Sequence, residues 1–354
     1  MKSKKMTQTS KKLQIVNLLL VVGVLIIIFA GCATTVKTRM LVPAKASEAA
    51  KLRRIAVLPF AGPTGNQVNA DIEALLVGVR VKDEPFFSII ERNALEKIMK
   101  EQKLQLYGLV DEKTAAKVGK LIGAEGIILG TVTQCTTEDK PYSQVRSKCV
   151  SKDEMGKCTK WSKYRVRCIE RNAYFSFTPK VVNATTGKIV ASESLSGKSR
   201  DNACQDSNRP LRGKKEMLTQ GKKQAIEKFR EMVAPYYLTV EIKLLDKDDT
   251  KMPSEVKEKI AHGIKWAKGG RLDRACEFWH EAYNLHRKGY ATPYLLGVCA
   301  EMSGYLEKAL SYYEKADRNT GSPVKEISEA LGRVRVSIEK RKKLDEQLKR
   351  EKTT

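Results

Sequence analysis

Part of this chain repeats itself, and the repeat constrains its fold more than any other feature. Gly263, Gly270, Ala275 and Ala282 recur as Gly297, Gly304, Ala309 and Ala316, each 34 residues later, and Trp279 is matched by Tyr313. A period of this length marks a helix pair as the repeating unit: small residues let the two helices approach closely, and the aromatic fills the space left between them. Such units bury their apolar faces against neighbouring units, so residues 254–322 are expected to form an all-α solenoid, not part of a sheet.

The repeat pattern resembles the tetratricopeptide repeat, and Trp266 also sits at an aromatic position of that pattern, although Ala300 replaces it in the second copy. Two copies fall short of the three such solenoids need. The charged segment 323–354, with Ile327, Leu331, Val334 and Ile338 on one stripe, is expected to be a helix that caps them. The resemblance implies a protein partner in the concave groove; a scaffolding or dimerising surface is the alternative.

The N-terminus has a different character. Lys2, Lys4, Lys5, Lys11 and Lys12 precede an apolar run, Leu13 to Ala30, which ends at Ala30-Gly31-Cys32. A basic start, a short apolar stretch and small residues at its end make a secretory signal. The ending resembles a lipobox, in which the chain is cut before a cysteine whose sulfur takes a diacyl group. That implies residues 1–31 as signal, Cys32 as the lipidation site and 32–51 as linker. The alternative is an uncut membrane span, for which the apolar run is barely long enough. Among bacterial lipoproteins an aspartate after the cysteine favours the inner membrane; Ala33 here implies the outer membrane, with the bulk of the chain on its periplasmic side. The five lysines account for five of the +25 net charges, so +20 remains on the mature chain. An exported basic protein meets lipid phosphates, lipopolysaccharide and wall carboxylates.

Between these ends, residues 52–245 read as an α/β domain. Arg54 to Phe60, Phe86 to Ile90 and Gly126 to Val132 are β-rich apolar runs. Ile72, Leu75, Leu76 and Val79 mark one helix, Leu95, Ile98 and Met99 a second, and Ala115, Val118 and Ile122 a third that Gly123 stops. Ala173 to Val182 and Ile189 to Leu195 form a hairpin, Lys215 to Val233 a helix, and Leu238, Val240, Ile242 and Leu244 a last strand. The alternation places helices on the faces of a sheet.

Several blocks in this stretch carry a family resemblance. Ile55-Ala56-Val57-Leu58-Pro59-Phe60, Ile90-Glu91-Arg92-Asn93-Ala94-Leu95, Glu101-Gln102-Lys103-Leu104, Gly119-Lys120-Leu121-Ile122-Gly123-Ala124 and Leu129-Gly130-Thr131-Val132-Thr133 resemble the CsgG-type family of curli-secretion lipoproteins. The resemblance implies a periplasmic α/β domain that assembles into homo-oligomeric rings, and in the founding members two amphipathic hairpins per subunit that build a shared membrane barrel. The corresponding segments here depart from that pattern. Residues 135–171 are basic and cysteine-rich with no sustained lipid-facing stripe, and 198–214 are short and polar.

Seven cysteines remain besides Cys32, and export places them where disulfides form. Cys149 and Cys158 flank a turn-like segment, with Cys135 and Cys168 further out on either side, so nested bridges Cys149–Cys158 and Cys135–Cys168 are expected to staple a hairpin. Four cysteines allow three connectivities. Cys204 is free or pairs elsewhere, and Cys276 with Cys299 is a third possible bridge between neighbouring repeat helices.

No catalytic set, cofactor motif or metal spacing is evident. His262, His280 and His286 all lie in the repeat region, and no close Cys-x-x-Cys pair suggests zinc. Ser196-Gly197-Lys198-Ser199 mimics the end of a phosphate loop, but Ser192 stands where its glycine is required. Export and the lack of an aromatic-basic platform argue against nucleic acid. Two readings remain: a non-enzymatic, lipid-anchored scaffold or adaptor in envelope assembly or secretion, and a subunit of a curli-type secretion pore. The missing amphipathic hairpins favour the first.

Overall fold

The computed structural model describes residues 34–91 and 112–349. Cys32 and the helix expected around Leu95, Ile98 and Met99 lie outside them. The described chain forms two compact units: residues 41–237 with 340–349, and residues 34–40 with 238–339.

The first unit is built on a mixed sheet. Strand β1 (Thr35–Val42) and helix α1 (Ser47–Lys51) come first, within a stretch the sequence marks as linker. Strand β2 (Arg54–Val57) follows, then α2 (Gly65–Val77), the short strands β3 (Arg80–Val81), β4 (Glu84–Pro85) and β5 (Ser88–Ile89), and α3 (Glu112–Ile122). Two long strands come next, β6 (Gly126–Lys152) and β7 (Cys158–Asn183), then β8 (Ile189–Ser192), β9 (Leu195–Cys204) and α4 (Lys214–Val233). The strand order is β5-β2-β6-β7-β8, and β9 also pairs with β7. β5, β2 and β6 run parallel; β6, β7 and the β8–β9 edge run antiparallel.

Alternation along the strands supplies two cores. One face gives Ile55, Val57, Ile128, Val132, Phe175 and Phe177 to a cluster closed by Ile72 and Leu76 of α2 and Phe229 of α4. The other gives Ala56, Leu58, Ile127 and Val182 to a cluster closed by Ala115, Val118 and Ile122 of α3. The result is an α/β/α sandwich. At Gly197 the backbones of β9 and α4 nearly touch: a Cβ there would stand 1.9 Å from the carbonyl oxygen of Gly221, so no larger residue fits.

Strand β10 (Tyr236–Lys243) pairs with β1 in a separate two-stranded ribbon instead of joining the main sheet. In the second unit, α5 (Ser254–Lys268) and α6 (Leu272–Leu285) form one helical hairpin, and α7 (Ala291–Met302) and α8 (Leu306–Arg318) another. The turns contain Gly270 and Gly304 at positive φ, 34 residues apart. A Cβ on Gly263 would meet Trp279 at 2.2 Å, and one on Gly297 would meet Tyr313 at 2.5 Å, so each small residue makes room for its own repeat's aromatic. The stripe Ile327, Ala330 and Val334 of α9 (Lys325–Leu348) enters the same core. Further along α9, Gln347 donates to Ala44 O (3.0 Å) and accepts from Ala44 N (2.8 Å), within the first unit.

Candidate functional site: a disulfide-stapled basic hairpin

The first unit's most distinctive feature is the length of its central hairpin. Strands usually run 3–10 residues, whereas β6 has 27 and β7 has 26. They stay paired from Gly126↔Asn183 out to Lys152↔Cys158. β9 supports β7 from Phe177↔Leu195 to Cys168↔Cys204 and then leaves it. Beyond that point residues 143–152 and 158–167 form a two-stranded ribbon about 33 Å long, by the rise of a strand. An isolated ribbon is marginal in water.

Disulfides stand at both ends of this ribbon. Cys149 is bonded to Cys158 at the tip, and Cys168 to Cys204 where the third strand ends. The expected Cys135–Cys168 bridge is therefore corrected. Across β6 and β7, Cys135 faces Phe175 and Cys168 faces Tyr142, seven residues apart along β7, while β9 brings Cys204 directly beside Cys168. Cys135 is free and half-buried against the core. In the second unit Cys276 of α6 is bonded to Cys299 of α7. The tip turns through Gly156 at positive φ, where Asp153 accepts from the backbone N–H of Met155 (3.1 Å) and Lys157 (2.8 Å).

A loop, residues 205–213, is pinned along the hairpin's base. Asp201 is almost fully buried and accepts from Arg209 at 2.7 and 3.1 Å and from the N–H of Arg212 at 2.9 Å. Arg171 grips Asp139 bidentately at 2.7 and 2.8 Å and donates to Arg212 O at 2.7 Å. Asp206 accepts from Arg146 at 2.8 Å and from the Tyr164 hydroxyl at 2.7 Å. The Arg209 guanidinium outweighs burial and, with the Arg212 N–H, holds the Asp201 carboxyl well below the usual carboxylate range. A depressed carboxyl contributes stability above its unfolded pKa, about 3.9, and loses it only as the pH falls through the lower folded value. The loop is therefore expected to stay docked at pH 4 and to loosen in stronger acid. Exchange of the Arg212 amide reports this; loosening between pH 6 and 5 would contradict it.

Side chains on the ribbon's two faces differ. With residues 134–149 in regular register, odd-numbered residues of both strands share the face that α4 covers at the base. Outward along this face come Ile169 with Pro141, Arg167 with Ser143, Arg165 with Val145, Lys163 with Ser147, and Trp161 with Cys149. Trp161 is 64% exposed, Val145 60% and Ile169 44%. Pro141, Ile169, Leu211 and Arg167 line a groove of about 680 Å³ at the inner end. The opposite face carries Tyr164 and Arg146, both drawn onto Asp206.

The three histidines sit in local contacts: His262 edges against Phe278 (5.6 Å), and His280 and His286 approach Asn284 (3.2 Å) and Thr250 (2.9 Å). Among the described residues no group of His, Cys, Asp and Glu could hold a metal, and no helix is long and apolar enough to cross a membrane.

The family described as curli production assembly/transport component CsgG matches residues 41–228. The chain belongs to the CsgG family. The match runs from the end of β1 into α4 and takes in the whole long hairpin. Among solved structures, this CsgG-family chain is similar to the LpoB C-terminal domain from Salmonella enterica, at 10% identity over 42% of this chain and 82% of that one, TM-score 0.24. It is similar to a lipoprotein from Neisseria meningitidis at 14% identity over 44% and 87%, TM-score 0.25. A PelC dodecamer from Paraburkholderia phytofirmans matches at 12% identity over 55% and 96%, TM-score 0.23. No curated protein matches the chain in sequence.

Proposed function

We propose that this CsgG-family protein is a non-enzymatic scaffold or adaptor of the cell envelope. In this reading a diacyl group on Cys32 tethers it to the periplasmic side of the outer membrane, the α/β unit assembles with further copies of itself, and the helical hairpins act as tetratricopeptide-like repeats that hold a protein partner. Family membership supports a role in envelope assembly or secretion.

The observation that carries scaffold over pore is the build of the hairpin. A barrel strand needs an outward apolar band. Lys163, Arg165 and Arg167 occupy one face of the ribbon, and each cation on a lipid-facing position costs about 2–4 kcal/mol at mid-membrane. Lys148, Arg146 and Gln144 lie on the other face. The second segment, which in the family's founding members gives another membrane hairpin, is here spent on β9, paired to β7, and on the pinned loop.

Cys32→Ala tests the tether. The wild type is expected to incorporate labelled palmitate and to lose residues 1–31, and the variant to do neither. Equal labelling of the variant, or an unlabelled wild type, would sink the lipid-anchor reading.

A further inference from the structure

We infer that the odd-numbered face of the hairpin's outer ribbon is a docking surface for an anionic lipid bilayer. This goes beyond the scaffold reading and does not depend on the anchor at Cys32. From Ile169 to Trp161 this face is about 26 Å long at the rise of a strand. Along it Lys163, Arg165 and Arg167 alternate in position with Val145, Pro141 and Trp161, with serines between and no carboxylate. The tip beyond adds Met155, 90% exposed, and the exposed Lys152, Lys157 and Lys160, which outnumber the exposed Asp153 and Glu154 of the turn. Among the described residues none of Lys152, Lys157, Lys160 and Lys163 enters an ion pair.

The mixture of side chains selects the partner. Cations alone suit any polyanion, and an indole also stacks on sugars and bases, but the exposed aliphatic side chains of Val145, Ile169 and Met155 are out of place against a polysaccharide or a nucleic acid. They suit the headgroup region, where an indole ring and aliphatic groups enter while Lys and Arg meet phosphates. The charges also bar the ribbon from spanning, so it lies on the surface. The groove at its inner end lets apolar area continue past Ile169. The disulfides at either end hold the two strands in register before the ribbon meets lipid, which lowers the ordering cost of docking.

The test uses the full-length lipidated protein. In one arm it is anchored in phosphatidylcholine nanodiscs and mixed with vesicles rich in phosphatidylglycerol whose acyl chains are brominated. In the other, the same anionic vesicles hold the anchor. Tryptophan quenching is expected in at least one arm and is expected to disappear in Trp161→Phe, since Trp266 and Trp279 remain. Each cation near an anionic surface contributes about fivefold, so Lys163→Gln/Arg165→Gln/Arg167→Gln is expected to weaken vesicle binding about 100-fold. No Trp161 quenching in either arm overturns the proposal, as does equal quenching by phosphatidylcholine vesicles. Capture of dextran sulfate without quenching by lipid would make the face a polyanion site and also overturn it. The wild-type quenching stands whether or not the triple variant folds.

Discussion

Glu301→Ala is expected to destabilise the helical unit by about 3–5 kcal/mol, the range for removing one partner of a buried ion pair. The Glu301 side chain is fully buried. Its carboxylate accepts from Arg333 Nε at 2.7 Å, from Arg333 Nη2 at 2.9 Å and from the Tyr313 hydroxyl at 2.7 Å. Burial works against the Arg333 charge, and the hydrogen bonds it donates to the Glu301 carboxylate more than offset it, so the guanidinium is held charged above its ordinary range. Alanine leaves that cation and the Tyr313 hydroxyl without their acceptor inside the core. The pair joins α7 to α9, so the loss is expected to fall on the helical unit. Urea unfolding followed by helical circular dichroism measures it. The double change Glu301→Leu/Arg333→Met removes both charges together and is expected to recover much of the loss. A single-variant loss below about 1 kcal/mol would mean that α9 is held by its apolar stripe alone.

The second large effect is expected at the hairpin. Cys168 and Cys204 close a chain segment with a sequence separation of 36. The chain-entropy model assigns about 4 kcal/mol to a loop of this size. In Cys168→Ser/Cys204→Ser the end of β9 and the ribbon beyond it lose that constraint. Amide protection across residues 143–167 is expected to fall by about two to three orders of magnitude, with the sandwich core little changed. The ribbon's other staple is the shorter Cys149–Cys158 loop, with a separation of 9. Unchanged protection in the ribbon would show that pairing and the pinned loop suffice without the bridge.

What could be read from the residues divides along physical lines. Arg54 to Phe60, Gly126 to Val132 and the hairpin flanking Asn183 have apolar side chains on at least one buried face, and those runs lie in the sheet. The 34-residue period found the helical hairpins because close packing needs the same small and aromatic residues at the same places. β9 carries no strand signal in the sequence because its buried face consists of Leu195, Gly197, Ser199 and Asp201, three of which are not hydrophobic. Without β9 there was no partner for Cys204, and a symmetric pairing of Cys135 with Cys168 followed from spacing about the turn. β6 and β7 continue through residues 133–152 and 158–171 with polar side chains on both faces, so periodicity marks no strands there and only the cysteine spacing points to a hairpin. β1 is hidden likewise: Lys37, Thr38 and Arg39 follow its buried Val36, and the apolar Met40-Leu41-Val42 that remains is too short to mark a strand. The docking face itself was legible only after register had sorted Trp161, Lys163, Arg165 and Arg167 onto one side.

The central claim is that this member of the CsgG family serves as a tethered scaffold and does not form the pore. Detergent-extracted, lipidated protein, sized by native mass spectrometry and then added to planar lipid bilayers, tests it most directly. A homo-oligomer that leaves the bilayer insulating is the expected result. Stable, large unitary conductances from that oligomer would contradict it and give the basic hairpin a place in a membrane-spanning wall.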